Sequence, residues 1–136
     1  MKKAYVDANI ILRFLTKDPP QMAEAALKVF AEAKRGKVSL YIFPIITAEV
    51  VWVLESFYGH PKKTIADIMT QFLLCDGLEV EGLDLILEAL ALYQGKNLDF
   101  ADAFLAITAL RKGPQIIYSF DHHLNRIDGV TVVKPS

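Results

Sequence analysis

The strongest constraint on this chain is the rhythm of its apolar segments. Short β-branched or aromatic runs alternate with longer segments that are apolar at every third or fourth position, and no two runs are joined by a hairpin signal. Residues 4–6, 38–43, 78–80, 115–119 and 129–133 read as strands, with the first and fourth as buried runs. Helical spacing follows Asp7 through Ile10, Ile11, Phe14 and Leu15. It recurs over residues 21–34, from Thr47, over 62–74 and 83–93, and from Asp99 to Leu110. Gly36, Gly59 and Gly113 punctuate these segments together with Pro19, Pro44, Pro61 and Pro114. Strands separated by helices are joined by crossovers rather than hairpins. The prediction is an α/β fold, a three-layer α/β/α sandwich around a mainly parallel five-stranded sheet.

Composition sets the outer bounds. The 136 residues are 53% hydrophobic and 23% charged, which suits a single folded domain over 1–136 rather than a disordered chain. The formal charge of −1 excludes bulk attraction to nucleic acid, so any such surface must be a local basic patch. Cys75 stands alone, which excludes an internal disulfide and a CxxC metal site and suits a reducing, cytoplasmic setting. Lys2 and Lys3 precede only a short apolar run without a cleavage pattern, so no signal peptide is expected. The apolar runs fall well short of a membrane span.

The chemistry lies in the acids at element ends. Asp7 ends the first strand, where α/β sheets present their ligands. Glu49 and Asp102 each fall in the first turn of a helix, and Asp121 follows the fourth strand. Strand carboxyl ends and the amino ends of the following helices share one edge of a parallel sheet, so all four acids can face one crevice. Each also has a local explanation. Asp7 or Asn9 can cap a helix, Asp99 and Asp102 form a capping pair, and helix amino ends favour carboxylates generally. Gathered in one cleft, however, carboxylates repel and raise each other's pKa. A hard cation removes that cost, and all-oxygen ligation selects Mg2+ or Mn2+. The adjacent His122 and His123 diverge along the chain and do not both reach one ion.

Four segments together resemble the PIN-domain ribonucleases, and among them the VapC-type toxins of toxin–antitoxin pairs. They are Tyr5-Val6-Asp7-Ala8-Asn9, the stretch from Thr47-Ala48-Glu49 to Leu54, Leu98-Asp99-Phe100-Ala101-Asp102 onward to Ala106, and Tyr118-Ser119-Phe120-Asp121. The resemblance spans essentially the whole chain, and Ala8 departs from it where Thr or Ser is frequent. It implies the strand order 3-2-1-4-5 with the first strand central. It implies that Asp7, Glu49, Asp102 and Asp121 are catalytic, metal-binding acids, that Ser119 supports the site, and that Asn9 and Asp99 are polar neighbours. It also implies an RNA substrate, pairing of two copies, and a small antitoxin protein as inhibitor.

The implied reaction is metal-assisted hydrolysis of RNA phosphodiester bonds. Arg13, Lys17, Arg111, Lys112 and Arg126 are unranked candidates for the basic rim that a phosphate chain requires. Val51 and Trp52 make a second face of the Thr47 helix apolar. With the apolar side of 62–74 they predict a homodimer contact or an antitoxin groove. Two alternatives remain. A magnesium-dependent phosphatase needs a second Asp two residues after the first, and Asn9 stands there. A non-catalytic PIN-like binding subunit usually loses its acids, and all four are retained here.

Overall fold

The computed structural model describes residues 2–136. Two compact units divide the chain, one ending at Leu83 and the other running from Asp84 to Ser136. In the first, β1 (Lys2–Tyr5), α1 (Ala8–Thr16) and α2 (Pro20–Lys34) precede β2 (Val38–Ile42). They are followed by α3 (Pro44–Ser56), α4 (Lys62–Leu73) and β3 (Leu78–Val80). The strands form a parallel sheet in the order β1-β2-β3, with Ala4 opposite Leu40 and Leu40 opposite Leu78. β2 is central, and four of its five residues are buried, as a parallel strand covered on both faces requires.

The helices of this unit begin and end where local chemistry dictates. Asp7 caps α1 by accepting the Ile10 N–H at 3.0 Å, and Lys17 ends it in the left-handed region. Pro20 and Pro44 open α2 and α3 at positions where the missing N–H costs nothing. Gly36, at φ 81°, lets the Lys37 N–H return to the Glu32 carbonyl at 3.0 Å and close α2. Ile11 and Leu12 of α1 and Val50, Val51 and Leu54 of α3 are buried. Each such side chain contributes on the order of 1.5–3 kcal/mol when fully removed from water. Phe14, Phe30 and Phe72 bring α1, α2 and α4 together, with ring centroids 4.5–6.0 Å apart.

The second unit holds most of α5 (Leu83–Gly95), then α6 (Phe100–Lys112) and β4 (Ile116–Tyr118). A 3-10 turn (His122–Arg126) and β5 (Thr131–Val133) complete it. β4 and β5 pair in parallel, with Ile117 opposite Val132. Ala103, Ala106 and Ala109 are buried on α6, and their small side chains allow close approach. Tyr93 of α5 meets Phe100 edge-on at 6.3 Å, and Arg111 of α6 clasps Glu88 of α5 through three contacts of 2.8–3.2 Å.

The α/β class and parallel pairing are observed, with three corrections. First, the expected single sheet is split in two. The partial orders 3-2-1 and 4-5 are present, but β1 and β4 are not hydrogen-bonded neighbours, so β1 is an edge of its sheet rather than its centre. Its composition suits an edge: Lys2, Lys3 and Tyr5 are exposed, and lysines blunt strand edges. Second, β1 and β4 are not buried strands, since only Ile117 of β4 and no residue of β1 is buried. An apolar run shows that a segment can be covered, not that it is. Third, Glu49 is not in the first turn of α3. Pro44 starts the helix three residues before Thr47 and moves Glu49 into the second turn. Among the described residues no helix is long and apolar enough to cross a membrane.

Candidate active site

In the first unit, Asp7, Asn9 and Glu49 line one cavity of about 450 Å³, together with Arg13, Asp18 and Tyr58. The site follows from the packing of α1 on α3. Asp7 stands at the foot of α1, and Glu49 projects from α3 one helix turn from Trp52 on the exposed face. Asp7 spends one carboxylate oxygen on capping α1. Its other oxygen has no hydrogen-bond partner among the described residues. Capping and ligation are therefore compatible in one residue. A larger cavity of about 620 Å³ also reaches Asp7 but is lined mainly by apolar groups such as Val6, Leu40 and Phe43. The smaller one, with three carboxylates, carries more chemistry.

Two buried polar atoms lack a partner among the described residues, Arg13 Nε and Thr47 Oγ1. They belong to α1 and α3, the helices that flank this cavity. Sequence reasoning left Arg13 unranked among five basic candidates and missed Asp18. Arg13 Nη1 donates to the Asp18 carbonyl at 3.1 Å, a contact between residues that no motif links.

In the second unit, Asp102 lies in the first turn of α6, and Asp99 occupies its N-cap position without making a side-chain cap. The capping reading of Asp99 therefore does not hold. Asp102 is half-buried, and its carboxyl is pushed above the usual range. Desolvation is the largest cause, followed by repulsion from Asp99 and Asp121, with His123 opposing. Asp121 is fixed from both sides. Its N–H donates to Ser119 Oγ at 2.9 Å, and its Oδ1 accepts the His123 N–H at 2.8 Å. His123 Nδ1 lies 2.7 Å from the same oxygen. Asp121 is held below the usual carboxylate range, first by the His123 backbone hydrogen bond and then by the charges of His123 and His122.

His123 is the residue that sequence reasoning undervalued. The neighbouring rings lie together rather than diverging as expected, with centroids 4.9 Å apart. Asp121 caps the 3-10 turn, and that turn brings His123 back onto the acid. An Asp followed by a His two residues on was the available signal. Ser119 does support the loop that carries Asp121. Of the other basic candidates, Arg111 is held by Glu88, and Arg126 Nε donates to the His123 carbonyl at 3.1 Å.

The donors fit a hard divalent cation in kind. They are carboxylate oxygens, and the repulsion that raises Asp102 is what a bound cation relieves. In number, no group of three or more His, Cys, Asp or Glu side chains that could hold a metal ion occurs among the described residues.

Comparison with known families matches residues 4–130 to the PIN domain, a span that contains Asp7, Glu49, Asp102 and Asp121 and crosses both units. No curated protein matches the chain.

Proposed function

The chain belongs to the PIN domain family, a family of nucleases, and on that premise we propose that it hydrolyses RNA phosphodiester bonds with a divalent cation, as an endoribonuclease. The observation that carries this reading is the match over residues 4–130 together with retention of all four acids within it. Asp7, Glu49, Asp102 and Asp121 are the residues assigned to hold Mg2+ or Mn2+. Such an ion, when bound, lowers the pKa of a water and offsets charge on the phosphate oxygens.

The chain's own groups supply the rest. Asp7 keeps one oxygen for ligation while the other holds α1 in place. Ser119 holds the Asp121 backbone N–H, and His123 fixes the Asp121 carboxylate in one orientation. The repulsion that raises Asp102 in the metal-free chain suits it to hold the cation, and a carboxylate of the site takes the proton from the attacking water. Asn9, on the Asp7 cavity, and Asp99, beside Asp102, are the polar neighbours of these acids.

The biological role proposed is that of a cytoplasmic toxin held in check by a small antitoxin protein. The exposed side chains of Ile45, Trp52 and Phe57 give such a partner, or a second copy, an apolar surface. The second reading is a PIN-like subunit that binds nucleic acid without cutting it.

One set of measurements separates the readings. The native chain should cleave a single-stranded RNA in Mg2+ or Mn2+, lose that activity in EDTA, and regain it when the metal is restored. Asp7→Asn should be inactive under all conditions. Native protein that binds RNA but leaves it intact in either metal supports the binding subunit. For the toxin role, induced expression of the native chain should arrest bacterial growth, and Asp7→Asn at the same level should not.

A further inference from the structure

We propose that Arg13 is a phosphate-binding residue, one that grips the RNA backbone at a phosphate other than the one cut. This rests on the nucleic-acid reading of the Asp7 cavity and adds to it the residue that tracks the strand.

Position is the first argument. Arg13 lines the same cavity as Asp7 and Glu49 but sits six residues further along α1 than Asp7. Six residues of helix rise roughly 9 Å, so the Arg13 backbone stands well along α1 from Asp7. A strand whose scissile phosphate lies at the acids presents a neighbouring phosphate there.

Unspent donors are the second argument. A guanidinium carries five N–H donors. Arg13 commits Nη1 to the Asp18 carbonyl and its Nε is buried out of a ligand's reach, but Nη2, which is not buried, donates to no partner among the described residues. Asp7, Asp18 and Glu49 share the cavity, yet Arg13 forms an ion pair with none of them. An open guanidinium edge on a permanent cation is complemented by an anionic oxygen.

The third argument is comparison with the other basic candidates. Arg111 is chelated by Glu88, Arg126 is turned onto the His123 carbonyl, and neither lines this cavity. Lys17 and Lys112 also lie outside its lining. Of the five basic residues singled out from the sequence, Arg13 alone lines the Asp7–Glu49 cavity.

The test is RNA binding followed by fluorescence anisotropy. The probe is a labelled single-stranded 12-nucleotide RNA in Ca2+, with thermal melts confirming that each variant is folded. Arg13→Gln should weaken binding about 10-fold or more and lower the salt dependence by about one phosphate contact. Arg13→Lys should recover part of the loss, since it keeps the charge but not the fork. A second arm uses only native protein, with the RNA neutralised by a methylphosphonate at one linkage at a time. One linkage should weaken native binding about as much as Arg13→Gln does, and should add nothing in that variant. Equal binding by native and Arg13→Gln protein would overturn the proposal, as would methylphosphonate losses that add fully to the variant's loss. Because binding is read without cleavage, the two ideas fail separately. Cleavage with unchanged Arg13→Gln binding removes the phosphate contact and leaves the nuclease. An Arg13-dependent contact without cleavage in Mg2+ or Mn2+ does the reverse.

Discussion

Asp102 bears the electrostatic cost of the candidate site, because burial and the charges of Asp99 and Asp121 disfavour its ionised form. Its carboxyl holds a proton to higher pH in the folded chain than in the unfolded one. Between the ordinary carboxylate value and that raised value the folded chain binds more protons, so stability falls as pH rises through the window. At neutral pH the charged Asp102 therefore weakens the metal-free fold. Asp102→Asn is expected to melt at the same temperature as the native chain or higher at pH 7 in chelator, and to have no advantage below the ordinary Asp range. It should also abolish divalent-dependent cleavage. Melting curves across pH check this, and a variant clearly less stable than native at pH 7 would contradict it. Asp121 has the opposite sign. The His123 contacts depress its pKa, so its contribution is present above the ordinary value and is lost as pH falls. It is exposed, and solvent screening keeps that contribution small.

At the scale of elements, helix starts and stops were largely legible because they are local chemistry. Asp7 was open to a capping reading and caps, and the glycine and proline punctuation falls where the helices end and begin. Glu49 was misplaced by a turn because Thr47 resembled a start signal while Pro44 provided one. The Asp76-Gly77 turn shows how tightly elements meet. Gly77 sits at φ 89°, and its carbonyl accepts the Leu40 N–H of β2 at 2.9 Å. An added Cβ there would lie 2.3 Å from the Ala33 carbonyl oxygen of α2. Gly77→Ala meets both a left-handed backbone and a backbone clash that no side-chain rotation relieves. It should cost about 2 kcal/mol or more, read as a lower urea midpoint with an unchanged slope. A loss under about 0.5 kcal/mol would show that α2 can withdraw from the turn.

At the scale of the whole molecule, the apolar surplus around α3 is real but differently distributed than expected. Val51 is buried at 1% exposure and contributes nothing outward, and Ile65, Met69, Phe72 and Leu73 of α4 are buried as well. Trp52 is 66% exposed, and Ile45 and Phe57 are more exposed still. Exposed apolar side chains gathered into a contiguous patch are what a partner or second copy covers. The homodimer prediction therefore narrows to these side chains. Light scattering at micromolar concentration should give twice the 15.2 kDa chain mass, and Trp52→Glu should give the single mass with an unchanged melting curve. A native chain that scatters as a single copy would count against this contact.

The sequence by itself determined the α/β class, the element order, the caps and breakers, and the acids at element ends, because each is written in residues a few positions apart. The ordered motifs also carried the family, which the match over residues 4–130 bears out. Only the tertiary structure decided that hydrogen bonding divides the strands into sheets of three and two, since pairing depends on partners far along the chain. It decided that Trp52 faces water while its neighbour Val51 does not. It also ranked the arginines. Arg13 and Arg111 look alike in sequence, but Glu88, 23 residues from Arg111, satisfies one guanidinium, while the other keeps a buried donor without a partner among the described residues. Local periodicity carries no record of such long-range pairing, so packing alone determined which of these two guanidinium groups is held by an ion pair and which lines the Asp7–Glu49 cavity.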